Sequence, residues 1–331
     1  MIPTIITVSV LALGVIIFFI SFNLRYVGKK GKPSPEEKAQ ISEAAKLLKL
    51  AQKGDGEAYY KLYLLYKQNA LPVNFSSEYT ERRTYLKKSA DLGYPKAQYE
   101  YGKSRIYSDD CSVAVAYLEK AASAGVTDAA SELARIYDSA AYGYKFRGLE
   151  RFNKLTARKL QAKWLQVVAE TGDAEEQVSL GYLYFYDLDD KRSALEWFEK
   201  AAAQGNGRGL TGAARIYQAR GGYEKALKYF TAAAEGGYSG GMYWLGRFYL
   251  EDYAFDKEKA LFWLNKAAES GRLQDTPAMD YLAKLYEDGG VVEADHEKAQ
   301  YWRDKIKAVR EAFKKRNDEA EKIAEKDLSE D

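Results

Sequence analysis

The sequence has almost none of the residues on which most catalytic and metal sites depend. It contains one histidine, His296, and one cysteine, Cys111, in 331 residues. A single histidine excludes His-based triads and histidine metal clusters, and a single cysteine excludes an intramolecular disulfide. We therefore expect no catalytic residues, no metal and no cofactor, and we do not expect an enzyme.

Proline and net charge are scarce as well. The chain has 6 prolines, and its abundant Ala, Leu, Lys and Glu favour helices. Its 50 basic and 48 acidic residues leave a formal net charge of +2, which gives no overall field to attract nucleic acid. Neither nucleic acid nor a small-molecule substrate is an expected partner; steeply salt-dependent binding to DNA or RNA would overturn this view.

One long apolar run opens the chain. Residues 2–22 carry no charged side chain, and as a helix they span about 31 Å, close to the hydrocarbon thickness of a bilayer. Neither a basic segment before the run nor a small-x-small cleavage site is present, so the run predicts an uncleaved transmembrane anchor.

The charges that flank this run predict its orientation. Arg25, Lys29, Lys30 and Lys32 follow it, so the positive-inside rule predicts a bacterial inner-membrane protein with its N-terminus outside and the rest in the cytoplasm. The opposite orientation, with the large C-terminal part facing the periplasm or a lumen, is the competing interpretation.

Two short patterns recur along the rest of the chain. The first, Ala-x-x-Trp/Tyr-x-x-Lys/Ala-Ala-x-x-x-Gly, has full copies that begin at Ala114, Ala194, Ala226 and Ala260. The second is an apolar residue, a small residue, two others and Tyr, as in Leu245 to Tyr249. Glycines close the successive units at Gly54, Gly93, Gly125, Gly172, Gly205, Gly237 and Gly271. An apolar stripe at helical spacing that ends in a left-handed glycine predicts pairs of helices which bury their stripes by stacking.

These copies resemble a known repeat. The segments Ala-Leu-Glu-Trp-Phe-Glu-Lys-Ala-Ala-Ala-Gln-Gly at 194–205 and Leu-Gly-Arg-Phe-Tyr at 245–249 are similar to the Sel1-like repeat, a relative of the tetratricopeptide repeat (TPR). The resemblance implies an all-α fold, a right-handed α-solenoid of helix pairs, here preceded by a single transmembrane helix. The predicted organisation is an anchor at 1–23, a basic linker at 24–34, a capping helix at 35–54, about seven repeats at 55–307 and a charged helical extension at 308–331.

The resemblance also implies a function as an adaptor or scaffold that binds other proteins. With the anchor, it predicts a scaffold that helps to assemble or localise a membrane-associated complex, such as envelope, secretion or polysaccharide-export machinery. Two alternatives are an adaptor of the opposite topology, facing the periplasm or a lumen, and an enzyme, against which the lack of a His, Cys or metal constellation argues.

Helical periodicity predicts where partners bind. In such a solenoid the first helix of each unit lines the concave face. Two positions on it, four residues apart, point away from the core: the second residue before the apolar residue, and the residue directly after the small residue. The second position is basic in five of seven units. The predicted partner-binding residues at these positions are Tyr60, Tyr99, Lys103, Arg135, Tyr182, Arg215, Tyr243, Arg247 and Lys284.

These residue types indicate a ligand of opposite charge. Arg takes carboxylates in a bidentate manner and Tyr offers rigid contact area, so they predict a groove for an acidic or C-terminal peptide segment. The competing interpretation is a solvated helix face, neutralised by glutamates of the same chain. A longer connection at 140–159 carries Tyr144, Phe146 and Arg147, which predict a second contact region or, alternatively, a self-packed insertion.

Overall fold

The structure is a computed structural model that describes residues 34–68, 75–108, 110–150, 152–251, 253–269 and 275–330. In these ranges the chain forms helices and turns and contains no β-strand. It divides into two compact units, Met1–Ala157 (unit 1) and Arg158–Asp331 (unit 2). The predicted all-helical repeat fold is confirmed.

The described part of unit 1 contains six α-helices. They are α1 (Pro35–Ala51), α2 (Gly56–Lys67), α3 (Phe75–Asp91), α4 (Pro95–Arg105), α5 (Cys111–Ser123) and α6 (Thr127–Ala141).

The described part of unit 2 contains nine further α-helices. Its helices are α7 (Lys154–Ala169, which starts just before the unit boundary), α8 (Ala174–Tyr182, extended by a π-helical turn at Leu183–Asp187), α9 (Lys191–Ala203), α10 (Gly207–Ala219), α11 (Tyr223–Glu235), α12 (Ser239–Phe248), α13 (Lys257–Glu269), α14 (Thr276–Asp288) and α15 (His296–Glu330). The first helices of the repeats are α2, α4 and α6 in unit 1, and α8, α10, α12 and α14 in unit 2.

Left-handed glycines separate one repeat from the next, as the sequence predicts. Such a backbone conformation costs glycine nothing, whereas a side chain would strain it. The closing glycines of the described ranges have φ between +77° and +101°; they are Gly54, Gly93, Gly125, Gly172, Gly205 and Gly237. The remaining one, Gly271, lies outside the described residues. Several first helices then start on a side-chain cap, such as Asp173, whose carboxylate accepts from the amide N–H groups of Glu175 and Glu176.

Small residues let the two helices of a repeat pack closely. A Cβ atom added to Gly181 would lie 2.6 Å from the ring of Phe198, and one added to Gly246 would lie 2.7 Å from Cγ of Leu264. Both Phe198 and Leu264 are buried. The small residue in the pattern of the first helix therefore makes room for a large residue of the second helix.

The predicted localisation in a membrane is wrong. In the described ranges, no helix is long and apolar enough to span a bilayer. A span takes about 20 apolar residues. Helices α1 to α14 have 17 residues or fewer, and α15, with 35, is predominantly polar. The run at 2–22, from which a single-pass inner-membrane protein was predicted, lies outside the described residues.

Candidate protein-binding surface

The predicted partner-binding residues lie at the surface of the first helices. We call this the first-helix face; it carries Tyr60, Tyr99, Lys103 and Arg135 in unit 1, and Tyr182, Arg215, Tyr243, Arg247 and Lys284 in unit 2. All nine are half-buried or exposed. By contrast, the apolar residue of the same pattern is buried at positions such as Leu133 and Leu245.

In unit 1 a carboxylate of the chain neutralises the basic residues of this face. Glu132 lies with Oε2 at 2.6 Å from Nη2 and 2.9 Å from Nε of Arg135, and with Oε1 at 3.6 Å from Nζ of Lys103. Its side chain is only 16% exposed. Arg135 also donates to the hydroxyl of Tyr107 at 3.3 Å. The hydrogen bond to Tyr107, followed by that to Glu132, raises the pKa of Arg135.

Two tyrosines of unit 1 border a cavity on the same face. Tyr60 and Tyr99 line it together with Glu100 and Asp128, and its volume is about 360 Å³. Burial, followed by the charge of Glu100, raises the pKa of Tyr60 to about 12. The Tyr60 hydroxyl therefore keeps its proton at neutral pH.

In unit 2 an aromatic side chain takes the place of the carboxylate. The guanidinium carbon of Arg215 lies 4.4 Å from the ring centroid of Trp244, and that of Arg247 lies 4.7 Å from the same centroid. Arg215 donates to the hydroxyl of Tyr186 at 2.8 Å, and Arg247 donates to that of Tyr243 at 3.1 Å. Two cations thus contact one indole, an arrangement that cation–π attraction stabilises.

These two arginines have no carboxylate partner among the described residues. Each is half-buried, and the interactions of each are hydrogen bonds to tyrosines and ring contacts. A guanidinium carries five N–H donors, so most of their donors remain available. Lys284 on the next first helix, α14, is exposed and forms no ion pair with a described residue either.

Glu132 and Trp244 occupy the same position of the repeat. Each immediately precedes the buried leucine of its first helix, and each contacts a basic residue of its own helix and one of the preceding first helix. At this position Glu132 supplies a carboxylate to Arg135 and Lys103, whereas Trp244 supplies an indole to Arg247 and Arg215. A glutamate of the same chain thus neutralises Lys103 and Arg135, as the competing interpretation has it, while binding of a partner at Arg215 and Arg247 stays a prediction.

The sequence prediction missed this position and the rings around it. It used the residue two before the apolar residue and the residue directly after the small one, whereas Trp244, and Tyr281 in the next repeat, lie one before the apolar residue. Trp244 precedes Arg247 by three residues, which places the two side chains on one helix face. That spacing was the available signal.

A π-helical turn positions the outermost tyrosine of unit 2. The turn at Leu183–Asp187 carries Tyr186, whose side chain is 61% exposed and whose ring stacks on that of Tyr182 at 5.8 Å. The buried guanidinium of Arg158 holds the end of the turn through an ion pair of 2.9 Å with Asp187. π-helical turns are frequent at functional sites, and this one brings Tyr186 against Arg215.

The long connection of unit 1 packs largely on itself. Phe146 is 5% exposed, and its ring lies 4.5 Å from that of Tyr144 and 6.4 Å from that of Tyr107. The carbonyl of Arg147 accepts from the amide of Cys111 at 2.8 Å. Phe146 is therefore a buried residue rather than a surface contact. Tyr144 and Arg147 lie at the surface, and their role as a contact region stays a prediction.

In the described ranges no group of three or more His, Cys, Asp or Glu is placed to hold a metal ion.

One protein-family model matches several segments of the chain. The Sel1 repeat model matches residues 95–126, 177–206, 219–238, 239–271 and 276–302. No curated protein matches the chain.

Among solved structures, a Sel1 repeat protein from Oxalobacter formigenes is 23% identical, with a TM-score of 0.45 over 73% of this chain and 93% of that one. The protective antigen c5321 of uropathogenic Escherichia coli, described as having an SLR fold, is 24% identical, with a TM-score of 0.42 over 87% of this chain and 68% of its own. YrrB, a TPR protein with an unusual peptide-binding site, is 16% identical, with a TM-score of 0.40 over 56% of this chain and 91% of that one.

The segments that match the family model coincide with helix pairs of the structure. Residues 95–126 cover α4 and α5, residues 177–206 cover most of α8 and all of α9, and residues 239–271 cover α12 and α13. Sequence match and helix pairing thus agree in these three segments, and the chain contains several segments similar to the Sel1 repeat.

Proposed function

We propose that the protein is a scaffold that binds other proteins, and that the first-helix face of unit 2 holds an acidic segment of a partner. The observation that carries this proposal is the pair Arg215 and Arg247, which are half-buried, lie against one indole and have no carboxylate partner among the described residues. Folds of Sel1 and TPR repeats typically serve as interaction scaffolds without catalysis. In the predicted organisation, the repeats at 55–307 form the scaffold, and binding of a partner there helps to assemble a complex.

The electrostatics of the two arginines favour an anionic ligand. Their partial burial has already removed part of their hydration, so a carboxylate that arrives replaces less water than it would at a fully exposed cation. A hydrogen bond to a charged group contributes about 1.5–3 kcal/mol to such binding. The carboxylates can come from Asp or Glu side chains or from the C-terminus of the partner.

Unit 1 shows the kind of contact that the proposal requires. Arg135 donates two hydrogen bonds, of 2.6 and 2.9 Å, to one carboxylate oxygen of Glu132. The other oxygen of Glu132 lies 3.6 Å from Nζ of Lys103. The equivalent cations of unit 2 lack this internal ligand because Trp244 replaces it. An external carboxylate is the natural substitute.

A binding assay with charge reversal tests the proposal. A fluorescein-labelled peptide rich in Glu and Gly is titrated with the protein, and anisotropy reports its dissociation constant. Changing Arg215→Glu and Arg247→Glu together should weaken binding by about 100-fold, since two charged hydrogen bonds at about 1.5 kcal/mol each are lost. A peptide with Lys in place of Glu should not bind.

The matched control reverses a charge elsewhere in unit 2. Arg192 on the second helix α9 has a side chain that is 87% exposed and an ion pair of 3.5 Å with Glu196. Arg192→Glu should leave the affinity within about threefold of the wild type, because only long-range charge effects change. Equal losses in the control and the double variant, or no loss in either, would refute the proposed site.

A further inference from the structure

The last helix, α15, continues beyond the part of it that packs in unit 2. Trp302 and Ile306 are buried in the core of unit 2, and Val309 packs partly against the same cluster. From Arg310 to Lys322, in contrast, every residue is exposed, and the helix continues to Glu330. About 30 Å of helix therefore follows Val309. We call residues 310–330 the α15 extension.

The α15 extension is divided into a basic half and an acidic half. Residues 310–316 carry four basic side chains and one acidic one, whereas residues 317–330 carry six acidic side chains and two basic ones. Within one helix, side chains interact when they are three or four positions apart. The two halves of one copy therefore meet only at their boundary, as in the ion pair of 4.0 Å between Lys315 and Glu319. Such a division of charge suits a partner helix whose charges run in the opposite direction.

Apolar residues form a narrow stripe along the same stretch. Phe313, which is 40% exposed, follows Val309 by four positions, and Ala320 follows Phe313 by seven. Ile323 continues this spacing in the sequence. An average spacing of about 3.5 residues is typical of a helix that pairs with one other helix in a coiled coil. Arg316 interrupts the stripe, and a polar residue at such a position weakens the pairing while it fixes the register.

We infer that two copies of the chain associate through their α15 extensions, which pair in an antiparallel manner. The basic half of each copy then lies against the acidic half of the other, whereas a parallel pair sets like charges side by side. A two-fold axis at the boundary of the halves also places Phe313 of each copy near Ala320 of the other, so that a large residue faces a small one. This pairing uses α15 alone and does not depend on the proposed binding at the first-helix face.

Charge reversal on α15 tests the pairing in the full-length chain. Sedimentation equilibrium should show a reversible dimer with a dissociation constant of about 10 μM. One variant reverses the basic side chains next to the boundary, with Lys314→Glu, Lys315→Glu and Arg316→Glu. Another reverses the acidic ones, with Asp318→Lys, Glu319→Lys and Glu321→Lys. Each variant sets like charges together in the antiparallel pair and should weaken association by about 100-fold.

The matched control carries all six substitutions. It reverses both halves, so the antiparallel pair regains its opposite charges and should associate within about tenfold of the wild type. A wild type that stays monomeric up to about 200 μM would overturn the inference. So would association of both half-reversed variants at the wild-type level, which indicates a parallel pair or another interface. Loss of association in the six-fold variant as well as in the half-reversed ones would also overturn it, because opposite charge then does not hold the pair.

Discussion

Removing one carboxylate should open a second binding site in unit 1. Glu132 is the internal partner of Arg135 and Lys103, so Glu132→Ala leaves both cations without it and leaves no indole between them. A single carboxylate of an acidic peptide can then bridge them as Glu132 does. We predict that the variant binds two acidic peptides per chain where the wild type binds one.

The structure sets the size of the effects. The side chains of Glu132 and Arg135 are 16% and 48% exposed, so after solvent screening their pair stabilises the fold by about 0.5–1 kcal/mol. The higher helix propensity of Ala offsets a few tenths of a kcal/mol of that loss, and the variant should remain folded. The new site offers one arginine and one lysine, whereas the site in unit 2 offers two arginines, which take carboxylates in a bidentate manner. We therefore expect it to be weaker by about tenfold or more.

Isothermal titration calorimetry measures the number of sites directly. Glu57→Ala is the control, since it removes a different carboxylate from an ion pair in unit 1, that of 3.0 Å with Lys61. The control should keep one peptide per chain. A stoichiometry of one in Glu132→Ala, with a melting curve close to that of the wild type, would refute the view that Glu132 blocks a binding site.

The remaining predictions concern stability. Phe230→Ala removes a ring that is fully buried and should cost about 3–5 kcal/mol in urea unfolding, whereas Phe262→Ala, at a ring that is 57% exposed, should cost less than about 1 kcal/mol. Gly246→Ala would place a Cβ at 2.7 Å from Leu264 and should lower stability by about 1–3 kcal/mol; an unchanged melting temperature would contradict the close helix contact. Burial of Tyr60, and the hydrogen bond from Tyr217 to Glu199, each raise a tyrosine pKa from 10.0 to about 12. Unfolded tyrosine ionises first, so this contribution is complete below pH 10 and is lost as pH rises to 12; equal stability at pH 9 and pH 11.5 would contradict it.

The periodic features of the fold were predictable from the sequence because they depend on residues close together in the chain. A closing glycine such as Gly205 ends its helix through its own backbone, and a small residue such as Gly181 marks a close helix contact. The face on which Arg215 and Arg247 lie follows from helical spacing alone.

Whether the basic residues of that face have a carboxylate partner was not predictable in the same way. It depends on whether Glu132 or Trp244 reaches a basic side chain of the preceding first helix, about 30 residues away in the chain. The sequence shows both residues but not the contact across repeats. The burial of Phe146 was missed for a similar reason, because one of its two ring partners, Tyr107, lies outside the connection.

A charge swap between protein and peptide tests the central claim most directly. The variant with Arg215→Glu and Arg247→Glu is titrated with the peptide rich in Glu and Gly and with its counterpart in which every Glu is Lys. If the arginines contact the acidic side chains, the variant should lose the first peptide and gain the second, with a coupling free energy above about 1 kcal/mol in the resulting cycle. If the variant binds neither peptide better than the Arg192→Glu control does, the two arginines do not form the site.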